Sequence, residues 1–183
     1  MAYDFSKLKA QIKETEEWLS RELAGVRTGR ASPSLLDSVK PEAYGARTPL
    51  SQLASVSIED ARTLRVIPWD KSVMKDIERA ITEADLGVSV ATDDMGLRIS
   101  FPELTADRRV LLIKLGNEKH EQAKVTLRNH RTDALKALDE AEKGGGMGKD
   151  EITRLKTEVQ KLVDGGTEAL ATLAKKKEEE ISN

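Results

Sequence analysis

Three long stretches of this 183-residue chain each carry a single apolar stripe, and the first is separated from the other two by a segment of different character. In the first, Phe5, Ile12, Leu19 and Val26 recur every seven residues, with Leu8 and Leu23 filling the same stripe. That spacing predicts a helix from about Asp4 to Arg27 with a bundle-type seam. The second stretch opens at "LTADRR", where Thr105 can cap and Asp107 suits the positive end of the helix dipole. It runs to about Glu142, with Leu112, Ala123, Leu127, Ala134 and Leu138 close to one face. The glycines of "KGGGMG" break it, because glycine gives up too much backbone freedom to sustain a helix. A third helix then places Ile152, Leu155, Val159, Leu162, Ala169 and Leu173 at alternating steps of three and four. No such helix buries its stripe alone, so the three are expected to pack as a bundle.

Between about Ser34 and Phe101 the period changes from helical to alternating. "LASVSI", "RTLRVI", "VSV" and "LRISF" read as short strands, and Val73, Ile77, Ala80, Ile81 and Ala84 mark one short helix closed near Gly87. The expected fold is therefore α+β. A discontinuous three-helix bundle, 1–29 and 105–183, carries an inserted β/α/β domain, 30–104. With 3% aromatic and 34% charged residues, the layers should be thin and the molecule elongated. Two chain crossings, "TGRASPS" and "SFPEL", must join the domains. Gly29 is expected to end the first helix and Pro33 to force an extended path. These two residues and Pro102 are candidates for a hinge, with a rigid elbow as the competing reading.

Several function classes find no support. The chain has no cysteine, so no disulfide or thiolate site is available, and His120 and His130 lie ten residues apart, the wrong spacing for a shared metal on one helix. "KGGGMGK" lacks the Ser or Thr and the preceding strand of a phosphate-binding loop. No nucleophile stands beside a placed base, so the chain reads as a non-enzyme without cofactor or metal. The N-terminal residues lack the apolar core of a signal peptide and no run is long enough to span a membrane, which predicts a cytoplasmic protein. Trp69 reads as packing for the small domain and Trp18 as packing at the bundle edge.

A net charge of -2 does not favour nucleic acid overall, so any basic binding face must be local. Lys124, Arg128 and Arg131 provide one: spaced four and three apart, they share a flank of the second long helix beside its seam. Arginine suits phosphate because its planar fork engages two oxygens at once. A solvated face balanced by Glu121 and Asp133 is the alternative. Arg27 and Arg30 at the junction are either phosphate contacts or cations placed at a helix C-terminus. His130 lies near the seam by angular count, which favours a packed, hydrogen-bonded histidine over a pH switch.

The stretches "VRTGRASPSLLD", "TPLSQLASVSIEDARTLRV", "ADLG", "LTADRR" and "LRNHRTDA", in this order and spacing, closely resemble the ribosome recycling factor family. The resemblance covers most of the chain. It implies a bundle and a small β/α/β domain set at an angle, an L-shaped body similar in outline to transfer RNA. It also implies binding to the post-termination ribosome, chiefly large-subunit ribosomal RNA, and subunit separation with elongation factor G and GTP. No membrane partner is implied, and the chain would act as a monomer. By the same resemblance Arg128 and Arg131 match RNA-contacting arginines and Arg109 another basic position, with Arg108 a weaker candidate. Two departures stand out: Thr132 replaces a second arginine, and His130 an aliphatic residue, so Arg131 should carry more of the contact. The competing reading is a coiled-coil adaptor whose insertion binds another protein, and a hydrolase built on the middle domain comes third.

Overall fold

The computed structural model describes residues 4–145 and 147–183. The chain divides into two compact units: the N-terminal segment through Leu23 with Lys114–Glu178, and Ala24–Ile113 with Glu179–Asn183.

The first unit is helical. It draws on α1 (Ser6–Ala24), α4 (Ala106–Lys143) and α5 (Lys149–Ser182). At 1.5 Å per residue, α4 with its 38 residues is about 57 Å long. Leu8, Ile12, Leu19 and Leu23 of α1 pack with Ala123, Leu127, Ala134 and Leu138 of α4 and with Ile152, Leu155, Val159, Val163 and Leu170 of α5. The expected stripes supply most of this core, but along the second half of α5 it runs through Val163 and Leu170, while Leu162 and Leu173 are only partly buried against it and Ala169 lies outside it. Helix starts follow the local chemistry. The Asp4 carboxylate accepts from Ser6 N at 2.8 Å, and Thr105 Oγ1 accepts from Arg108 N at 3.3 Å.

The end of α1 differs from expectation. The helix stops at Ala24, before Gly25, so Gly29 does not terminate it. Val26 and Leu112, placed in the bundle stripes by periodicity, instead form a small cluster with Leu104 and Ile181 in the second unit. The physical reason is that the turn directly after the helix lets Val26 leave the seam and still be buried.

The second unit is built on a four-stranded antiparallel sheet. Its strands are β3 (Ala54–Asp60), β4 (Thr63–Pro68), β5 (Ser89–Thr92) and β6 (Leu97–Ser100), in the order β3-β4-β6-β5. The register opposes Val66 to Leu97 and Leu64 to Ile99, all four fully buried. On that face lie α3 (Met74–Glu83), through Ile77 and Ile81, and the 3-10 turn Pro33–Leu36. Asp70 caps the turn before α3 by accepting from Ser72 N. A two-strand hairpin, β1 (Glu42–Ala43) and β2 (Ala46–Arg47), and the single turn α2 (Leu50–Leu53) complete it, features that alternation alone does not mark.

Trp69 is a correction. It is 69% exposed, not packed. Along β4 the buried positions are Leu64, Val66 and Pro68, so parity sends Arg65, Ile67 and Trp69 to the bare face of the sheet. That alternation was the available signal. Trp18 does pack at the bundle edge, half-buried against the core.

Candidate RNA-contacting surface

Within the bundle, α4 turns its seam residues Ala123, Leu127 and Ala134 inward, and positions 124, 128 and 131 form a flank beside that seam. Lys124, Arg128 and Arg131 stand on that flank at the expected spacing. They are not equivalent. The Lys124 ammonium is ion-paired one turn back with Glu121, whose carboxyl it holds below the usual carboxylate range by hydrogen bonding. Arg128 is exposed, with Nε donating to the Lys124 carbonyl at 3.4 Å, and its fork is otherwise open. Arg131 is half-buried and makes no ion pair or hydrogen bond among the described residues. Thr132, next to it, spends its hydroxyl on the Arg128 carbonyl at 3.0 Å and adds no donor outward. Two forks with unspent donors on one helical face can hold phosphate oxygens or stack on bases.

The remaining candidates lie in the second unit. Arg109, on the first turns of α4, is half-buried, and its Nε has no hydrogen-bond partner. Arg30 is exposed, while its backbone N donates to Thr28 Oγ1 at 3.3 Å. Arg27 is different in kind. Only 8% exposed, it donates from Nη1 to the Gly87 carbonyl at 2.6 Å and from Nη2 to the Pro102 carbonyl at 2.5 Å. Its guanidinium carbon lies 5.7 Å from the centre of the Phe101 ring. Burial, and then the nearby charge of Arg108, lower its pKa. Gly87, at φ +66°, has no Cβ, and one placed there would come within 2.8 Å of Nη1. Its carbonyl is reached because that space is empty. Sequence reasoning placed Arg27 with the surface cations; the only hint of its burial was its position next to the apolar Val26.

Of the hinge candidates, Pro33 opens the 3-10 turn, Pro102 supplies one of Arg27's two acceptors, and Gly29 has open space around its missing side chain. His130 lies half-buried on α4 and lines a cavity with Trp18 rather than filling the seam. Its ring makes no hydrogen bond among the described residues, contrary to the expected bonded histidine. His120 is the more enclosed: Nε2 is buried without a partner, and burial, then Lys124, lower its pKa. Among the described residues no cluster of His, Cys, Asp and Glu is placed to hold a metal, and no helix is long and apolar enough to cross a membrane.

A family model of ribosome recycling factor matches residues 19–181. The chain belongs to the ribosome recycling factor family. Among its relatives, the ribosome-recycling factor of Rickettsia conorii is 45% identical over 174 residues, 95% of this chain and 94% of the relative. That of Bacillus velezensis is 44% identical over 176 residues, 96% and 95% of the two chains. A solution structure of ribosome recycling factor superposes over 100% of this chain and 99% of its own, with a TM-score of 0.76 at 31% identity. A second structure, the T. thermophilus factor, comes from models of that factor and E. coli elongation factor G bound to the E. coli post-termination complex. It matches with a TM-score of 0.68 at 38% identity, over 98% of this chain and 97% of its own. Membership bears on the flank because the chain retains the fold while presenting Thr132 and His130 around Arg131.

Proposed function

We propose that this member of the ribosome recycling factor family binds the post-termination ribosome and, with elongation factor G and GTP hydrolysed by that factor, promotes its separation into subunits. The observation that carries the reading is the flank of α4, where Arg128 and Arg131 keep donors that form no ion pair with an acid among the described residues. Large-subunit ribosomal RNA is the partner this chemistry suits, with Lys124, Arg109 and Arg30 as supporting cations. Arg27 holds backbone carbonyls instead. The bundle, 1–29 and 105–183, is the docking part in this reading. The inserted domain, 30–104, is the part a protein factor moves, with Gly29, Pro33 and Pro102 at the connections that bend. Exposure of Ile67 and Trp69 on the bare sheet face supports a protein contact for that domain. The protein contributes binding and mechanics rather than catalysis, acts as a monomer and works in the cytoplasm.

The test is co-sedimentation with vacant ribosomes, and subunit separation by light scattering, each with and without elongation factor G and GTP. Binding without the factor and separation only with it is expected. Arg131→Ala should weaken ribosome binding by about 1–3 kcal/mol, the range for removing a charge-assisted hydrogen bond from an interface, with helix content unchanged. Equal affinity of variant and wild type would remove Arg131 from the interface, and separation without the factor would overturn the assignment.

A further inference from the structure

A cavity of about 310 Å³ opens between α1 and α4 of the bundle, lined by Glu14, Thr15, Trp18 and Arg21 on one side and by Thr126 and His130 on the other. Thr15 and Thr126 donate their hydroxyls back to their own helices, to the Gln11 carbonyl at 2.8 Å and the Gln122 carbonyl at 3.1 Å. The polar groups left to meet a ligand are therefore a carboxylate, a guanidinium and an imidazole. None of the three has a hydrogen-bond or ion-pair partner among the described residues. The wall between them is aromatic. Trp18 is held against the bundle core, with the Lys119 ammonium 6.0 Å from its ring centre and itself fixed by Glu22 at 2.7 Å.

We propose that this cavity receives one unpaired nucleotide of the bound RNA, its base against Trp18, its edge read by Glu14 and His130, and its phosphate held by Arg21. Base stacking on an aromatic side chain, with hydrogen bonds to the exposed edge, is how single-stranded RNA is read. The volume accommodates one nucleotide and no duplex. An apolar protein side chain is a poorer occupant, because it would cover three polar groups and satisfy none of them. The inference rests on the proposed binding of ribosomal RNA: Thr126 and His130 lie on the other side of the α4 seam from Arg128 and Arg131, so the cavity is a contact separate from the flank, made with its own stretch of the RNA.

Trp69→Phe leaves Trp18 as the only tryptophan of the two, and its fluorescence then reports on the cavity. Titration of that full-length variant with AMP, GMP, CMP and UMP at millimolar concentration should give saturable quenching with at least one of them. Adding His130→Val should weaken the effect several-fold, and Glu14→Gln, at an exposed position, should change which base is preferred. On large ribosomal subunits, Trp18 should be quenched and shielded from acrylamide. Arg131→Ala should leave quenching by free nucleotides unchanged while weakening subunit binding. If subunit binding is also unchanged, the flank reading fails and the cavity stands. Absence of saturable quenching by all four nucleotides overturns the proposal. So does Trp18 staying open to acrylamide on the subunit, or being shielded there while nucleotides have no effect, which would mark a protein side chain as occupant.

Discussion

Arg27 spends its charge inside the protein. Two carbonyls from segments 60 and 75 residues away converge on its fork, and its Nε has no partner, so the bidentate geometry, with the Phe101 ring beneath the guanidinium, offsets the cost of burying the cation. A lysine cannot reproduce this, because one ammonium on a flexible stem does not bridge two fixed acceptors. Arg27→Lys should therefore destabilise the protein by about 1–3 kcal/mol, the scale of leaving a buried carbonyl unsatisfied, as measured by urea denaturation. Gly87→Ala should be comparably harmful, since it strains a left-handed φ and drives a methyl against Nη1. The two should be non-additive, because either change alone breaks the same hydrogen bond, and additive costs would show that the residues act separately. Charge and spacing made Arg128 and Arg131 legible as a flank, because a helix fixes which side chains share a face. They left Arg27 illegible, because its partners come from distant segments that no local period relates to it.

The helices were readable for a related reason: the period that marks a stripe in α1, α4 and α5 is the period that buries it. The strands were readable from alternation, whereas their order β3-β4-β6-β5 and the hairpin of β1 and β2 depend on pairings that a single strand does not encode. One feature of α5 escaped periodicity altogether. Gly165 and Gly166 sit in mid-helix, where each costs about 1 kcal/mol relative to alanine. Gly165 has nothing within 4 Å of a built Cβ, while a Cβ at Gly166 would lie 2.7 Å from Ile12 Cγ2 and 3.4 Å from Leu127 Cδ2. Gly166 thus lets α1 and α4 approach α5 closely at this level, and a branched methyl on Ile12 cannot swing aside as the end of a long side chain would. Opposite signs are expected from thermal melts. Gly165→Ala should stabilise by about 0.5–1 kcal/mol through propensity, whereas Gly166→Ala should destabilise by about 1–3 kcal/mol through overpacking. A stabilising Gly166→Ala would mean that the helices yield at this level and that the glycine is tolerated rather than required.

For the whole molecule the decisive quantity is a net charge of -2 carried by a chain proposed to bind a polyanion. Long-range attraction cannot draw the protein to RNA when its overall field is slightly repulsive, so affinity must come from a few cations at close range. In the proposed reading Arg128 and Arg131 are the principal phosphate ligands, with Arg109, Arg30 and the Glu121-paired Lys124 in support and Arg21 at the cavity, whereas Arg27 is buried. Two to six phosphates at about 0.7–0.9 counterions each predict that log K for large subunits falls against log salt with a slope between about -1.4 and -5.4. Arg131→Ala should make that slope shallower by about 0.7–0.9, together with its weaker affinity. The measurement is a titration series in potassium chloride at fixed magnesium. A slope near zero would favour the adaptor reading, in which apolar surface carries the binding, because burying such surface releases no counterions. A slope well beyond the upper bound would instead place further cations of the chain on the RNA. The lysines and arginines of the inserted domain would then be the next positions to substitute.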